Sequence, residues 1–239
     1  KDPRSLSAAF VRYIYEDHNG LIWVGFETSG LSYLNPATGQ FTRITRNARG
    51  EEVSGNIIFS LLEYPAGVIW AGSESGLNKI SFSKNNSGQY HYSIKNFGEA
   101  NGLSDKSVNG ILADNKGFLW IGTIKGLLRF DIRNERFRNY LPSLDFSFSC
   151  AYKFNEHQLF FGSSEGFVMF DPNKVSQNDF LPRVVISSLR LFNKEVEIGG
   201  TYNGDIPFKT AITTAPGLTL GYQNNVFTLG FAGLHFSDP

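Results

Sequence analysis

One cysteine and one methionine occur in 239 residues. A lone Cys150 excludes an internal disulfide and leaves the redox compartment open; it is expected to pack as a small apolar side chain. Neither charge sign is in excess, with Lys+Arg and Asp+Glu both at 22, so no net field would gather a polyanion or an anionic membrane. Nucleic acid is therefore not an expected partner of this segment. The four histidines, His18, His91, His157 and His235, stand apart, without the i, i+4 or Cys/His spacing of a zinc site; no metal and no cofactor is expected. No run approaches the roughly 18 to 20 apolar residues that span a bilayer. The start Lys1-Asp2-Pro3-Arg4 has neither an initiator methionine nor the apolar core of a signal peptide, as expected of a piece of a longer chain. What the chain has in quantity is aromatic residues, 15%, and glycine, 25 residues, a composition suited to many short buried strands joined by tight turns.

The glycines and aromatics are periodic. Trp-x-Gly followed by Gly-Leu occurs as Trp23-Val24-Gly25 with Gly30-Leu31, Trp70-Ala71-Gly72 with Gly76-Leu77, and Trp120-Ile121-Gly122 with Gly126-Leu127; a worn copy follows at Phe160-Phe161-Gly162 with Gly166-Phe167. The intervals of 47, 50 and 40 residues fall in the range of propeller blades. Within the first copy the pattern predicts strands over 10–16, 21–27, 31–34 and 41–45, and four antiparallel strands in sequence make a blade. The second predicts 56–63, 68–73, 77–82 and 90–95, with a polar insert over 83–88, and the third 107–113, 118–123, 127–131 and 136–140. The fourth offers 149–154, 159–163 and 167–170 and then no outer strand, as in a ring closed by a strand from elsewhere. Gly20, Gly67 and Gly117 each precede the tryptophan by three residues, where a reversal needs φ > 0; Glu156-His157-Gln158 replaces that glycine in the fourth copy and requires another geometry.

The expected fold is therefore all-β: four blades of a partial propeller over residues 1–175, then a different domain over 176–239. There Val184–Phe192, Leu218–Tyr222 and Val226–Leu234 are β-rich, the opening of an incomplete Ig-like sandwich of which about three strands of about seven are present.

Two phrases carry a family resemblance. Glu16-Asp17-His18-Asn19-Gly20-Leu21-Ile22-Trp23-Val24-Gly25 and Ala113-Asp114-Asn115-Lys116-Gly117-Phe118-Leu119-Trp120-Ile121-Gly122-Thr123 resemble the two-component-regulator propeller repeat of Bacteroidetes hybrid sensor kinases. The exit Phe170-Asp171-Pro172, continuing through Leu181-Pro182-Arg183-Val184-Val185-Ile186 to Leu191-Phe192-Asn193-Lys194, is similar to that family's junction into its three-tyrosine Ig-like domain. The resemblance implies a periplasmic sensor region of an inner-membrane protein, with two propellers and an Ig-like domain ahead of a membrane helix, histidine kinase, receiver and DNA-binding region, and ligands that are commonly carbohydrates released from glycans.

The repeated tryptophans are read as blade-to-blade packing, because each sits in the same frame of the second strand and phenylalanine replaces it in the fourth copy. Gly162-Ser163-Ser164-Glu165-Gly166 fits a nucleophile-elbow string, but it aligns with the hairpin turn Gly72-Ser73-Glu74-Ser75-Gly76 and leads into a strand rather than a helix; no catalytic residue is assigned. His18 is expected to be a solvated loop residue and Glu51-Glu52 a solvated loop pair. In a propeller the turns between second and third strands share a face with the starts of the innermost strands. That face collects Glu27, Glu74, Lys125 and Glu165 from the turns and Asn56, Lys106 and Asn109 near the inner strands. These positions vary while the framework repeats, which suits a ligand-binding surface.

The leading expectation is a non-enzymatic sensory module for an oligosaccharide or other small ligand, its partners being the remaining blades and Ig-like domain of a parent chain. A propeller lyase acting on a polysaccharide or antibiotic, which needs a His, Tyr or metal-binding carboxylate cluster at the channel, and a protein-binding scaffold are the alternatives. Four blades leave an apolar face at each end of an open arc, so the segment alone is expected to form a homodimer.

Overall fold

The structure is a computed structural model and describes residues 2, 5, 6, 8–47, 49–85, 90–142, 144–175 and 183–234. The core of the polar insert, the Leu181-Pro182 junction and His235 lie outside the described residues. The chain divides into two compact units, Lys1–Val175 and Ser176–Pro239.

The first unit holds four antiparallel sheets in chain order. β1 (Val11–Glu16), β2 (Ile22–Phe26), β3 (Leu31–Asn35) and β4 (Gln40–Ile44) form the first blade; β5 (Ile58–Glu63), β6 (Val68–Ser73), β7 (Gly76–Lys84) and β8 (Tyr90–Phe97) the second; β9 (Val108–Ala113), β10 (Phe118–Thr123), β11 (Gly126–Asp131) and β12 (Arg136–Pro142) the third. The fourth has three strands among the described residues, β13 (Phe146–Asn155), β14 (Gln158–Ser163) and β15 (Gly166–Phe170). The first strands are innermost: β5 touches β1, β9 and β13. The alternation of apolar residues read from the sequence places these strands within a few residues of their observed ends.

Each Trp-x-Gly phrase is a blade-to-blade joint. Trp23, Trp70 and Trp120 are buried to 1% exposure or less and each lies against an aromatic ring on the third strand of the following blade: Trp23 is 5.1 Å from Phe82, Trp70 5.6 Å from Phe130 and Trp120 4.6 Å from Phe170. An indole buries about 150–250 Å², about 4–6 kcal/mol of transfer free energy at ~25 cal/mol per Å² before entropy is subtracted. The glycine two residues on lets the next inner strand approach. A Cβ on Gly25 would stand 2.7 Å from Ile58, one on Gly72 2.5 Å from the Val108 carbonyl, and one on Gly122 3.0 Å from Phe146.

The indole nitrogen is anchored within its own blade. Trp23 Nε1 donates to Asp17 Oδ2 at 2.8 Å and Trp120 Nε1 to Asp114 Oδ2 at 3.0 Å. The other oxygen of each aspartate closes the preceding turn: Asp17 Oδ1 accepts from the backbone N–H of Asn19 and Leu21, and Asp114 Oδ1 from those of Lys116 and Phe118. Both carboxylates are almost fully buried, so three hydrogen bonds offset the desolvation of each. The second blade has no aspartate there, and Trp70 Nε1 donates instead to the Tyr64 carbonyl at 2.6 Å. The turn glycines take the expected left-handed conformation, φ 74° at Gly20, 81° at Gly67 and 88° at Gly117. In the fourth blade Asn155 substitutes, its Oδ1 accepting from His157 N at 2.8 Å.

Three expectations about single residues change. His18 is half exposed, but its backbone N–H and Nδ1 both reach the carboxylate of Glu63, which also accepts from Gly67 N and is 7% exposed; the loop histidine thus ties the first blade to the second. Glu51 accepts from Ile94 N and Asn47 Nδ2, and these bonds, the Ile94 N–H first, hold its carboxyl below the usual range. Its neighbour Glu52 pairs with Arg46, so the two are not a merely solvated pair. Cys150 is exposed, because it lies on the open face of the fourth blade opposite Gly162.

In the second unit β16 (Arg183–Leu191) is the centre of a three-stranded antiparallel sheet, flanked by β17 (Lys194–Glu195) and β18 (Phe227–Leu234). Leu189, Leu191, Val196 and Phe208 form its core, with Leu218 and Leu220 packed against it. The strand expected over 218–222 is absent: the Asp205 carboxylate takes the Gly221 N–H at 2.7 Å and Asn224 N bonds Gly221 O, which commits that backbone to a turn instead of a ladder.

Candidate functional site: the hub face of the propeller unit

On the edge where inner strands begin and second-to-third strand turns lie, each blade ties its turn to the segment entering its inner strand, and each does so with different chemistry. In the first blade Glu27 N bonds the Phe10 carbonyl and the Glu27 carboxylate pairs with Arg12 at 3.1 Å. The Glu74 carboxylate of the second accepts the backbone N–H groups of Asn56 and Ile57 at 2.8 and 2.9 Å. Lys125 in the third pairs with Asp105 at 3.3 Å, and Asp105 also accepts from Ser107 N. Finally, Ser164 Oγ of the fourth donates to Asp145 at 2.8 Å. The turns themselves are closed alike in blades two to four, where the Ser73, Thr123 and Ser163 hydroxyls donate to the carbonyls of Gly76, Gly126 and Gly166. Ser164 of the nucleophile-like string accordingly lies in the β14–β15 hairpin turn with an aspartate for its partner.

These ties decide what each anticipated residue has free. Asn56 and Lys106 are exposed. Glu165 is exposed too, its backbone N–H on Ser163 Oγ. Glu27 and Lys125 reach solvent while paired, with side chains 42% and 60% exposed. The Glu74 carboxylate already serves as an acceptor for backbone N–H groups. Asn109 is fully buried; its Nδ2 donates to the Phe146 carbonyl at 2.6 Å and its Oδ1 accepts from Ser107, so it links blades three and four below the surface. A cleft of about 270 Å³ opens between the first two blades on this face, lined by Ser29, Arg46, Glu52 and Asn56 among others.

The inner strands share a second feature, which sequence reasoning missed. Each ladder slips at the same place: between Val11 and Tyr13, between Ile58 and Ser60, between Val108 and Gly110, and, over a longer stretch, between Phe146 and Ala151. A bulge bends the strand and re-aims the side chain it leaves unpaired. The residues so released are Arg12, Phe59, Asn109 and the run Ser147 to Cys150. Arg12, Phe59 and the fourth-blade run converge: the Arg12 guanidinium lies 5.6 Å from the Phe59 ring centre, the Phe59 and Phe148 rings are 4.4 Å apart, and Ser149 Oγ donates to the Phe59 carbonyl at 2.6 Å. A one-residue slip inside a six-residue strand leaves no mark in the hydrophobic pattern. The Asp17 and Asp114 anchors did leave one, an aspartate six residues before tryptophan in two copies.

The comparisons agree with this architecture. Residues 5–28 and 102–125 match the two component regulator propeller family. Histidine kinase P4 of Formosa agariphila is 24% identical over 93% of this chain, which spans 20% of that protein. The extracellular domain of the hybrid two component system BT3049 of B. thetaiotaomicron superposes with a TM-score of 0.66 at 23% identity, over 96% of this chain and 30% of the other; that of BT4673 from the same organism gives 0.53 at 20% identity, over 96% and 29%. The chain therefore spans about a fifth to a third of the proteins it resembles. Two stretches of it match the two component regulator propeller family, and its fold is the one seen in the extracellular domains of BT3049 and BT4673.

Proposed function

We propose that the chain is part of the extracytoplasmic ligand-sensing region of a membrane-bound hybrid histidine kinase, that its ligand is an oligosaccharide, and that the signal controls transcription of glycan-utilisation genes. The segment carries no chemistry of its own in this reading; it resides in the periplasm as part of an inner-membrane protein, and the kinase belongs to the parent. The observation that carries the proposal is the contrast between a framework that repeats, Trp, Gly and turn, and a hub face on which Arg12–Glu27, Glu74, Lys125–Asp105 and Ser164–Asp145 occupy equivalent places with different chemistry. A fixed scaffold with variable loops is how binding surfaces are built. A ligand there signals by binding one arrangement of the parent's domains more tightly than another, since equal affinity shifts nothing.

The remaining blades and an Ig-like domain of the parent are the proposed structural partners. Phe167, Tyr152, Phe154 and Met169 are 70%, 64%, 64% and 49% exposed on the fourth blade, on the side that in blades one to three meets the next blade. In the isolated segment we assign that face to a homodimer. Calorimetric titration of the full ectodomain with a glycan panel tests the ligand class, heat saturating with one glycan supporting it and silence across all classes overturning it. Solution scattering tests the dimer, which a monomeric profile contradicts.

A further inference from the structure

We infer that the bulged residues of the inner strands form a sugar-binding subsite at the hub, with Phe148 as its stacking platform and the Arg12–Glu27 pair as its polar arm; the inference deepens the glycan-sensing reading and rests on it.

Three observations point to this place. First, four separate strands bulge at the same level, and bulges that recur beside one another are devices for aiming side chains. Second, the fourth-blade bulge is held in a costly conformation. Ser149 has φ +57°, a left-handed backbone that a residue with a Cβ adopts rarely, and its hydroxyl is fastened to the Phe59 carbonyl 90 residues away in sequence. The effect is to bring Phe148 across the hub onto Phe59. Third, the result is an unfinished surface: Phe59 is buried at 5% exposure while Phe148, tilted against it with ring centres 4.4 Å apart, remains 48% exposed. A fully buried pair would be core; a half-exposed ring backed by a buried one is a platform.

The polar arm fits the same ligand. Arg12 and Glu27 are 34% and 42% exposed, and Arg12 lies over the Phe59 ring. A guanidinium has five N–H donors and a carboxylate about four acceptor sites, so after the 3.1 Å contact between them both keep capacity for a ligand. Their charges cancel, which selects against a strongly anionic ligand and suits vicinal hydroxyls that can donate and accept at once. An aromatic face for the C–H side of a pyranose, with a few convergent polar groups to orient it, is the usual composition of a small-molecule site.

The test is calorimetric titration of the 239-residue chain with xylohexaose, cellohexaose, mannohexaose and laminarihexaose, repeated on Phe148→Ala and Arg12→Gln, with melting curves for all three proteins. The expected result is saturable binding of at least one hexaose, weakened at least tenfold by either substitution, with Arg12→Gln melting within two degrees of the unsubstituted chain. Binding that survives both substitutions within a factor of two would overturn the hub assignment and leave the glycan reading standing. Absence of binding by all four would overturn the hub assignment, while the glycan reading is decided by the full-ectodomain panel. Should Phe148→Ala melt early, Arg12→Gln, which leaves the Ser149 hydrogen bond and both rings of the Phe59–Phe148 pair in place, carries the decision.

Discussion

Replacing a tryptophan by phenylalanine, as the chain itself does at Phe160, should cost unequal amounts in different blades. Trp120 Nε1 donates to a carboxylate, Asp114, that is 2% exposed, whereas Trp70 Nε1 donates to a neutral carbonyl. Hydrogen bonds to charged groups contribute about 1.5–3 kcal/mol and neutral ones about 0.5–1.5, and the apolar area lost from indole to phenyl is similar in both. Trp120→Phe is therefore expected to destabilise the propeller unit by about 1–1.5 kcal/mol more than Trp70→Phe, a factor of about ten in the unfolding equilibrium. Urea unfolding followed by far-ultraviolet circular dichroism measures both. A double-mutant cycle isolates the bond: Asp114→Ala also releases the Lys116 and Phe118 N–H groups, yet its coupling to Trp120→Phe should remain about 1–2 kcal/mol. The reasoning is refuted if Trp70→Phe proves the costlier change or if the coupling is zero.

Gly72→Ala places a methyl 2.5 Å from the Val108 carbonyl and Ser60 Oγ, and an overpacked joint of this kind should lose about 1–3 kcal/mol in the same urea assay, while Ser83→Ala at the exposed end of β7 should change little. Removing Glu63 strands the His18 and Gly67 N–H groups; Glu63→Ala is expected to cost about 2–4 kcal/mol and to raise amide exchange in both blades it joins. Because the folded-state Glu51 carboxyl is held below its ordinary value, its ordering effect is present above the usual carboxylate range and fades as pH falls through the lowered folded value. Amide exchange at Ile94 should accelerate on acidification, and Glu51→Gln should flatten that pH dependence.

The fold was legible where one signal repeated. Trp-x-Gly in a constant frame located the second strands, and the reading of Trp23, Trp70 and Trp120 as blade joints is what the ring contacts show. Legibility failed where a side chain overrides the local pattern: Leu218–Tyr222 has the composition of a strand but yields its backbone to Asp205. The hub face was legible as a location, since turn and inner-strand starts are adjacent in any blade, but not in which side chains it presents. Asn109 reads as an entry-segment polar residue and lies buried between two blades, and Glu74 reads as a free turn carboxylate and is bonded to two backbone N–H groups. Arg12, Phe59 and Phe148 gave no sign, because a bulge depends on how two strands register and a single strand does not record it.

The account stands on the indoles joining successive blades around one hub. Nuclear Overhauser measurements on the chain with labelled tryptophan and phenylalanine test this directly. Cross-peaks from Trp23 to Phe82, Trp70 to Phe130 and Trp120 to Phe170 are predicted, together with Phe59 to Phe148 across the hub; indoles that show contacts only within their own repeats would contradict it.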